Sequence, residues 1–180
     1  MRFFREPQEA RDAYITGLIR EIKDWGGSAI VVYANSVCGY VDFDRLSQEN
    51  DIAIITLMQA YIKIGTQYRR PYVWAVTTGA LNSIEQSIWK ADPEIDVRGM
   101  YHLDIGIRIE AGETPAKITE DMGLADLIRY NEKSGSDCII LGCTHFPYLK
   151  AELDKAAAIP VIDPADTMLE MLEERLGEKR

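Results

Sequence analysis

The residues best suited to chemistry are Cys143, Thr144 and His145, which follow one another directly after the largely apolar segment 137–141. Such a segment indicates a buried parallel strand, and Pro147 is typical of the first turn of a helix. A thiol between a strand and a helix lies close to free backbone N–H groups, which favour a thiolate and can also hold a carboxylate. The turn therefore predicts a base beside an anion site, with a buried structural cysteine as the alternative interpretation.

The pattern at residues 142–147, Gly-Cys-Thr-His-Phe-Pro, resembles the second catalytic motif of the aspartate/glutamate racemase family. The first motif of that family, Cys-Asn-Thr or Cys-Asn-Ser at the end of an apolar strand, has its counterpart in Ala34-Asn35-Ser36. Ala34 stands where the family has its first cysteine, and it carries no base. The resemblance implies that Asn35 and Ser36 keep the amide and the hydroxyl that bind the substrate carboxylate.

Two further segments fit the same family. Thr77 and Thr78 end a predicted strand before a helix, like the family's Thr-rich anion loop, and Val-Ile-Asp-Pro at 161–164 also matches. By themselves the two threonines are equally typical of a strand end that caps a helix, a geometry that also leaves N–H groups free for a carboxylate. The resemblance covers nearly the whole chain and implies two pseudo-symmetric α/β lobes, with Cys143 and Ala34 on opposite walls of a cleft.

The reaction of this family determines what its residues must do. Racemising an amino acid without a cofactor removes an α-proton of very low acidity and returns a proton on the other face, which calls for two groups flanking one carbon. The family uses two cysteines, and an unperturbed thiol pKa of about 8.5 suits a group that is base in one direction and acid in the other. The resemblance implies Cys143 as one base, Thr144 as a carboxylate ligand and His145 as the residue that orients or tunes the thiolate.

The identity of a second base is open. Cys38 lies four residues beyond Ala34, about one helical turn or about 5 Å along a helix axis, and its alternative interpretation is a small residue packed under the cleft. Tyr33, Tyr40 and Asp42 are further candidates for a compensating acid or base. Their residue types are equally typical of a core position, a rim position and a helix N-cap, respectively.

Composition limits the classes of function. The chain of 180 residues is 47% hydrophobic, enough for a sizeable core, and its formal net charge is -9. Because it lacks the clustered lysines and arginines that neutralise phosphates, we expect no nucleic-acid partner. No apolar run is long enough to span a bilayer, and the N-terminus lacks the apolar region of a secretory signal, so we expect a cytoplasmic protein without membrane contact.

Cysteine spacing and glycine motifs limit the cofactors. The three cysteines, at positions 38, 138 and 143, are odd in number and form no C-x-x-C pair, so we expect reduced thiols and neither a disulfide framework nor a metal site. Neither G-x-G-x-x-G nor the P-loop pattern occurs. We therefore expect no nucleotide, and no cofactor of another kind.

Helical and strand patterns alternate along the chain. Helices are predicted at 7–25, 56–68, 80–89, 124–132, 146–157 and 164–176, and strands at 29–34, 52–55, 72–77, 97–103, 137–141 and 160–162. Strands that alternate with helices of this length predict βαβ crossovers and an α/β fold with a parallel sheet.

The resemblance also divides the chain. It implies a partial N-terminal α/β lobe at 1–70, a second α/β lobe at 71–160, and a C-terminal strand end and helix at 161–180 that return to the first lobe. Relative to the family, the N-terminal lobe is expected to be truncated by a βαβ unit of about 30 residues. Because an unprotected sheet edge invites association, we expect a homo-oligomer, most simply a dimer.

Three functions follow as hypotheses. The first is a cofactor-independent racemase or epimerase of aspartate, glutamate or a similar small carboxylate, in which Cys143 transfers the α-proton. The second is a decarboxylase-type enzyme with a single thiol, as in relatives that protonate a planar enolate after carbon dioxide leaves, which accommodates Ala34. The third is a non-catalytic protein that binds a carboxylate.

Overall fold

Strands and helices alternate along residues 3–177, the part of the chain that this computed structural model describes. The strands are β1 (Ala29–Val32), β2 (Ala53–Thr56), β3 (Pro71–Ala75), β4 (Arg98–Tyr101), β5 (Cys138–Gly142) and β6 (Val161–Ile162). The helices are α1 (Gln8–Asp24), α2 (Asn35–Cys38), α3 (Phe43–Asn50), α4 (Leu57–Gly65), α5 (Thr78–Trp89), α6 (Leu103–Glu110), α7 (Pro115–Asp121), α8 (Leu124–Lys133), α9 (Lys150–Ala156) and α10 (Pro164–Gly177). Short 3₁₀ turns lie at Phe3–Arg5 and Phe146–Leu149.

The strands form two parallel sheets, which confirms the predicted α/β class. β1 and β2 pair in a two-stranded sheet, with Ile30 opposite Ile54. The other sheet has four strands in the order β4-β3-β5-β6, with Val73 opposite Ile140 at its centre. Because the strands of a parallel sheet all point the same way, the turns that follow β3 and β5 meet at one edge.

Strand β5 is buried along its whole length because both faces of the four-stranded sheet are covered. On one face Val73 and Ile140 belong to a cluster with Ile84 of α5. On the other face Trp74 and Ile139 belong to a second cluster, which includes residues of α6, α7 and α8. The alternation of the two sets along β3 and β5 follows from the two-residue period of a strand.

The last helix connects the two sheets. α10 packs against α4 and against β2, so the chain returns from the four-stranded sheet to the two-stranded one. At the surface of this contact, Lys63 of α4 forms an ion pair with Glu174 of α10 at 2.7 Å. Among residues 3–177, no helix combines the length and the apolar character needed to cross a bilayer.

Four helices, α2, α3, α6 and α7, were not among those predicted from the sequence. Each has eight residues or fewer, too few for a clear helical period. The strand predicted at 97–103 is also too long, since β4 ends at Tyr101 and His102 is already the N-cap of α6. The helix predicted at 146–157 opens as a 3₁₀ turn before α9 begins at Lys150. Positions 1, 2 and 178–180 of the predicted units lie outside the described residues.

Candidate active site

A cavity of about 750 Å³ lies where the turns after β1, β3 and β5 come together. Residues 33–36 line it from the first turn, residues 76, 77, 79 and 80 from the second, and residues 143–145 from the third. The predicted site residues Asn35, Ser36, Thr77, Thr144 and His145 therefore share one cavity with the thiol at position 143.

Cys143, His145 and Glu110 form a row of three side chains in which His145 contacts the other two. Cys143 is 6% exposed, and its Sγ lies 3.6 Å from Nδ1 of His145. The other ring nitrogen of His145, Nε2, lies 3.2 Å from a carboxylate oxygen of Glu110, at the end of α6. A carboxylate on one side of an imidazole and a thiol on the other orients the ring and controls which nitrogen carries the proton. Sequence reasoning missed Glu110 because it missed α6.

The thiol of Cys143 is harder to ionise than the sequence led us to expect. Burial raises its pKa, and the negative charge of Glu110 raises it further. The backbone N–H groups of His145 and Phe146 donate to the sulfur and lower the pKa, but they do not outweigh burial. The 3₁₀ turn that follows has only four residues, so it contributes little helix dipole.

Ala34 and Tyr33 form the cavity wall contributed by the turn after β1. Among the described residues that line the cavity, Cys143 is the only cysteine, and none is lysine or arginine. Burial raises the pKa of Tyr33 to about 12, with smaller contributions from the charges of Asp163 and Cys143. A phenol with such a pKa is protonated at neutral pH, so this wall offers a proton donor instead of a thiol.

Asn35 makes two hydrogen bonds within the protein. Its Nδ2 donates to the backbone oxygen of Gly142 at 3.1 Å, and its Oδ1 accepts a hydrogen bond from the hydroxyl of Tyr61 at 3.1 Å. Tyr61 belongs to α4 and is 0% exposed. The side chain predicted as a carboxylate ligand therefore joins α4 to the residue just before Cys143.

Thr77 caps α5, since its hydroxyl oxygen accepts a hydrogen bond from the backbone N–H of Ala80 at 3.2 Å. The capping and the cavity-lining interpretations of this residue are thus compatible. Thr78, the other predicted ligand of this turn, is the first residue of α5 and is not among the residues that line the cavity.

Cys38 is not among the residues that line the cavity of Cys143. It borders a different hollow of about 600 Å³, and the backbone N–H groups of Leu57 and Met58, at the start of α4, donate to its sulfur. Burial nevertheless raises the pKa of the Cys38 thiol to about 11. Asp42, another candidate acid or base, caps α3 by accepting a hydrogen bond from the backbone N–H of Arg45 at 3.0 Å.

The described residues contain no group of three or more His, Cys, Asp and Glu side chains that could hold a metal ion. Cys38, Cys138 and Cys143 are free thiols in the structure.

The chain is similar to several racemases. The sequence model described as Asp/Glu/Hydantoin racemase matches residues 4–172. A glutamate racemase of Latilactobacillus sakei is 29% identical over 119 residues, which are 64% of this chain and 43% of that protein. The chain spans about half the length of the curated relatives that it matches.

Two solved structures show the same fold. One is glutamate racemase from Francisella tularensis in complex with D-glutamate, with a TM-score of 0.69, 21% identity and coverage of 97% of this chain and 66% of that chain. The other is allantoin racemase from Klebsiella pneumoniae, with a TM-score of 0.67, 19% identity and coverage of 94% and 67%.

Proposed function

The chain belongs to the Asp/Glu/Hydantoin racemase family, and we propose that it transfers a proton at the α-carbon of an acidic amino acid, aspartate or glutamate, or of a similar small carboxylate, without a cofactor. The observation that carries this proposal is the row formed by Cys143, His145 and Glu110, which ends in a buried thiol at the cavity wall. A thiol held by an imidazole can take an α-proton as thiolate and return it as thiol.

The substrate carboxylate is bound by hydrogen bonds. The described residues that line the cavity include no lysine or arginine, but they include the hydroxyls of Ser36, Thr77 and Thr144. Donors aimed at the carboxylate stabilise the negative charge that develops as the α-proton leaves. The racemases of this fold have been described with different substrates, glutamate in one and allantoin in another, so the choice of substrate is part of the proposal.

The proton on the second face comes from Tyr33 in this proposal. Cys143 as thiolate removes the α-proton, the Tyr33 phenol protonates the other face, and a thiol and a phenolate remain. In the reverse reaction the Tyr33 phenolate removes the α-proton of the other enantiomer, and the Cys143 thiol protonates the opposite face. Because the pKa of Tyr33 is about 12, its phenolate is scarce at neutral pH, and we expect slow inversion.

A single-thiol decarboxylase is the second candidate, and Ala34 is the observation that favours it. Such a reaction needs one proton donor for the enolate that carbon dioxide leaves behind, and Cys143 suffices. A protein that only binds a carboxylate is the third candidate. It would retain the hydroxyls of the cavity and show no proton transfer.

Proton NMR of the protein with L- and D-aspartate and L- and D-glutamate in deuterated water tests the proposal. Loss of the α-proton signal together with inverted chirality supports a racemase. Exchange that keeps the chirality of one enantiomer supports proton transfer by Cys143 alone. If none of the four compounds exchanges, the decarboxylase and binding functions take precedence.

Exchange should increase with pH. Only the thiolate accepts a proton, and burial raises the pKa of Cys143, so below that pKa the rate should increase about tenfold per pH unit. In the variant Glu110→Gln a negative charge that raises the thiol pKa is removed, so the midpoint of the profile should move to lower pH. A midpoint that moves upward would contradict this assignment.

We propose that residues 1–70 and 71–160 form two lobes and that residues 161–180 return to the first lobe.

We also propose that the protein forms a dimer. Exposed apolar side chains support association, since Tyr14 on α1, Trp25 just after α1 and Val31 on β1 are 60%, 82% and 42% exposed. Size-exclusion chromatography with light scattering should give twice the mass of one chain. A clean monomer at micromolar concentration would count against the dimer, and Trp25→Glu should weaken association.

A further inference from the structure

The hydrogen bonds of Asn35 form a partly buried bridge between α4 and the end of β5. The bridge runs from the Tyr61 hydroxyl on α4, through the side-chain amide of Asn35, to the backbone oxygen of Gly142 at the end of β5. Both hydrogen bonds are 3.1 Å long, and Tyr61 has no exposed surface. The residue that follows Gly142 is Cys143.

The direction of the bridge is determined by its ends. The Gly142 carbonyl can only accept, so the amide must present Nδ2 to it, and Oδ1 then faces Tyr61. Burial raises the pKa of Tyr61 far above its usual value, so its hydroxyl keeps its proton and stays a donor. A buried hydroxyl or amide without a partner would be destabilising, so each group of the bridge holds the other two in place.

We infer that Asn35 and Tyr61 act as positioning residues for the turn that carries Cys143. The bridge uses one donor and one acceptor of the amide. Tyr61, which no sequence motif indicates, thereby joins the machinery of the site. The inference rests on the proposed function only in taking Cys143 as the proton-transferring group.

The packing around Gly142 links the hydrogen bond at its carbonyl to the position of the Cys143 thiol. A Cβ at this position would lie 2.7 Å from Cδ1 of Ile84 and 2.9 Å from the backbone oxygen of Trp74, so the strand end is closely packed. The turn that follows Gly142 supplies the N–H groups of His145 and Phe146 that donate to the Cys143 sulfur. Releasing the Gly142 carbonyl frees the start of this turn, and those two donors lose their alignment.

The test measures the thiol without substrate. The rate at which iodoacetamide alkylates Cys143 is followed against pH, with mass spectrometry to separate it from Cys38 and Cys138. We expect Tyr61→Phe and Asn35→Ala each to raise the midpoint of the profile by about 0.5 to 1 pH unit, which is about 3- to 10-fold slower alkylation below the midpoint. The double variant should shift it no further than the larger single shift, because both substitutions break one bridge.

Tyr72→Phe is the matched control, because it removes a tyrosine hydroxyl of β3 that lies outside the bridge. Its profile should coincide with that of the unaltered protein. An unchanged profile for Asn35→Ala would overturn the inference. If Tyr61→Phe does not fold, as judged by circular dichroism, Asn35→Ala carries the same test, since Asn35 is only partly buried.

Kinetics separate this inference from the proposed function. Where turnover is measured, a positioning role predicts that Asn35→Ala lowers kcat by about the same 3- to 10-fold and leaves KM within about twofold. A raised KM with an unchanged alkylation profile would instead make Asn35 a carboxylate ligand and overturn the inference. If the unaltered protein shows no turnover at all, the proposed function fails, whereas the alkylation result still decides the role of the bridge.

Discussion

Replacing Cys143 by serine should reduce α-proton exchange by a factor on the order of 10³, the typical contribution of a positioned acid–base group. A serine hydroxyl is close in shape to the thiol and can accept the same backbone hydrogen bonds from residues 145 and 146. It does not ionise near neutral pH, so no base remains on this wall of the cavity. Exchange in deuterated water, followed by NMR for each enantiomer, measures the loss, and thermal unfolding shows whether the variant is folded.

The substitution Cys38→Ser is the control for this prediction. The Cys38 sulfur accepts hydrogen bonds from the backbone at the start of α4 and is not among the residues that line the cavity of Cys143. Its replacement should therefore change exchange by less than about twofold, within the range of a substitution outside the site. An equal loss of exchange in both variants would mean that our assignment of the base is wrong.

The parts of the site that depend on neighbouring residues were accessible from the sequence. Cys143 and His145 are two positions apart in one turn, and the apolar run before them predicted a strand that ends close to the observed end of β5. Thr77 also caps the helix that its position after a strand predicted. Local chemistry and local periodicity are what a single sequence carries most directly.

The parts that depend on distant residues were not accessible. The family resemblance implied Asn35 as a carboxylate ligand, which stays a prediction, but the sequence did not indicate that its amide contacts Gly142, 107 positions away, and Tyr61, 26 positions away. Glu110 was missed because the apolar residues of the short helix that carries it alternate in the sequence, which is the period of a strand and not of a helix. For Cys38, the contact of its sulfur with the start of α4 was not visible in the sequence, because it depends on the tertiary fold.

By resemblance, Ala34 stands where the family has its first cysteine, and we expect Ala34→Cys to give the largest gain in the rate of inversion. The residue lines the same cavity as Cys143, on the turn after β1, and the added sulfur would extend from a position at the cavity surface. A thiol has a pKa much closer to neutral than the phenol of Tyr33. We therefore expect inversion of the substrate to become at least about 10²-fold faster, by the usual scale of acid–base catalysis.

The measurement is the rate at which L- and D-glutamate and L- and D-aspartate interconvert, set against the rate of α-proton exchange in the same sample. With a thiol on each wall the two rates should become nearly equal, because each proton removed from one face is replaced from the other. Ala34→Ser adds a side chain of similar size without an ionisable thiol, so it should leave inversion unchanged. If Ala34→Cys inverts the substrate no faster than Ala34→Ser, the two cavity walls do not flank one carbon. A reaction that needs a single thiol then becomes the better proposal for this site.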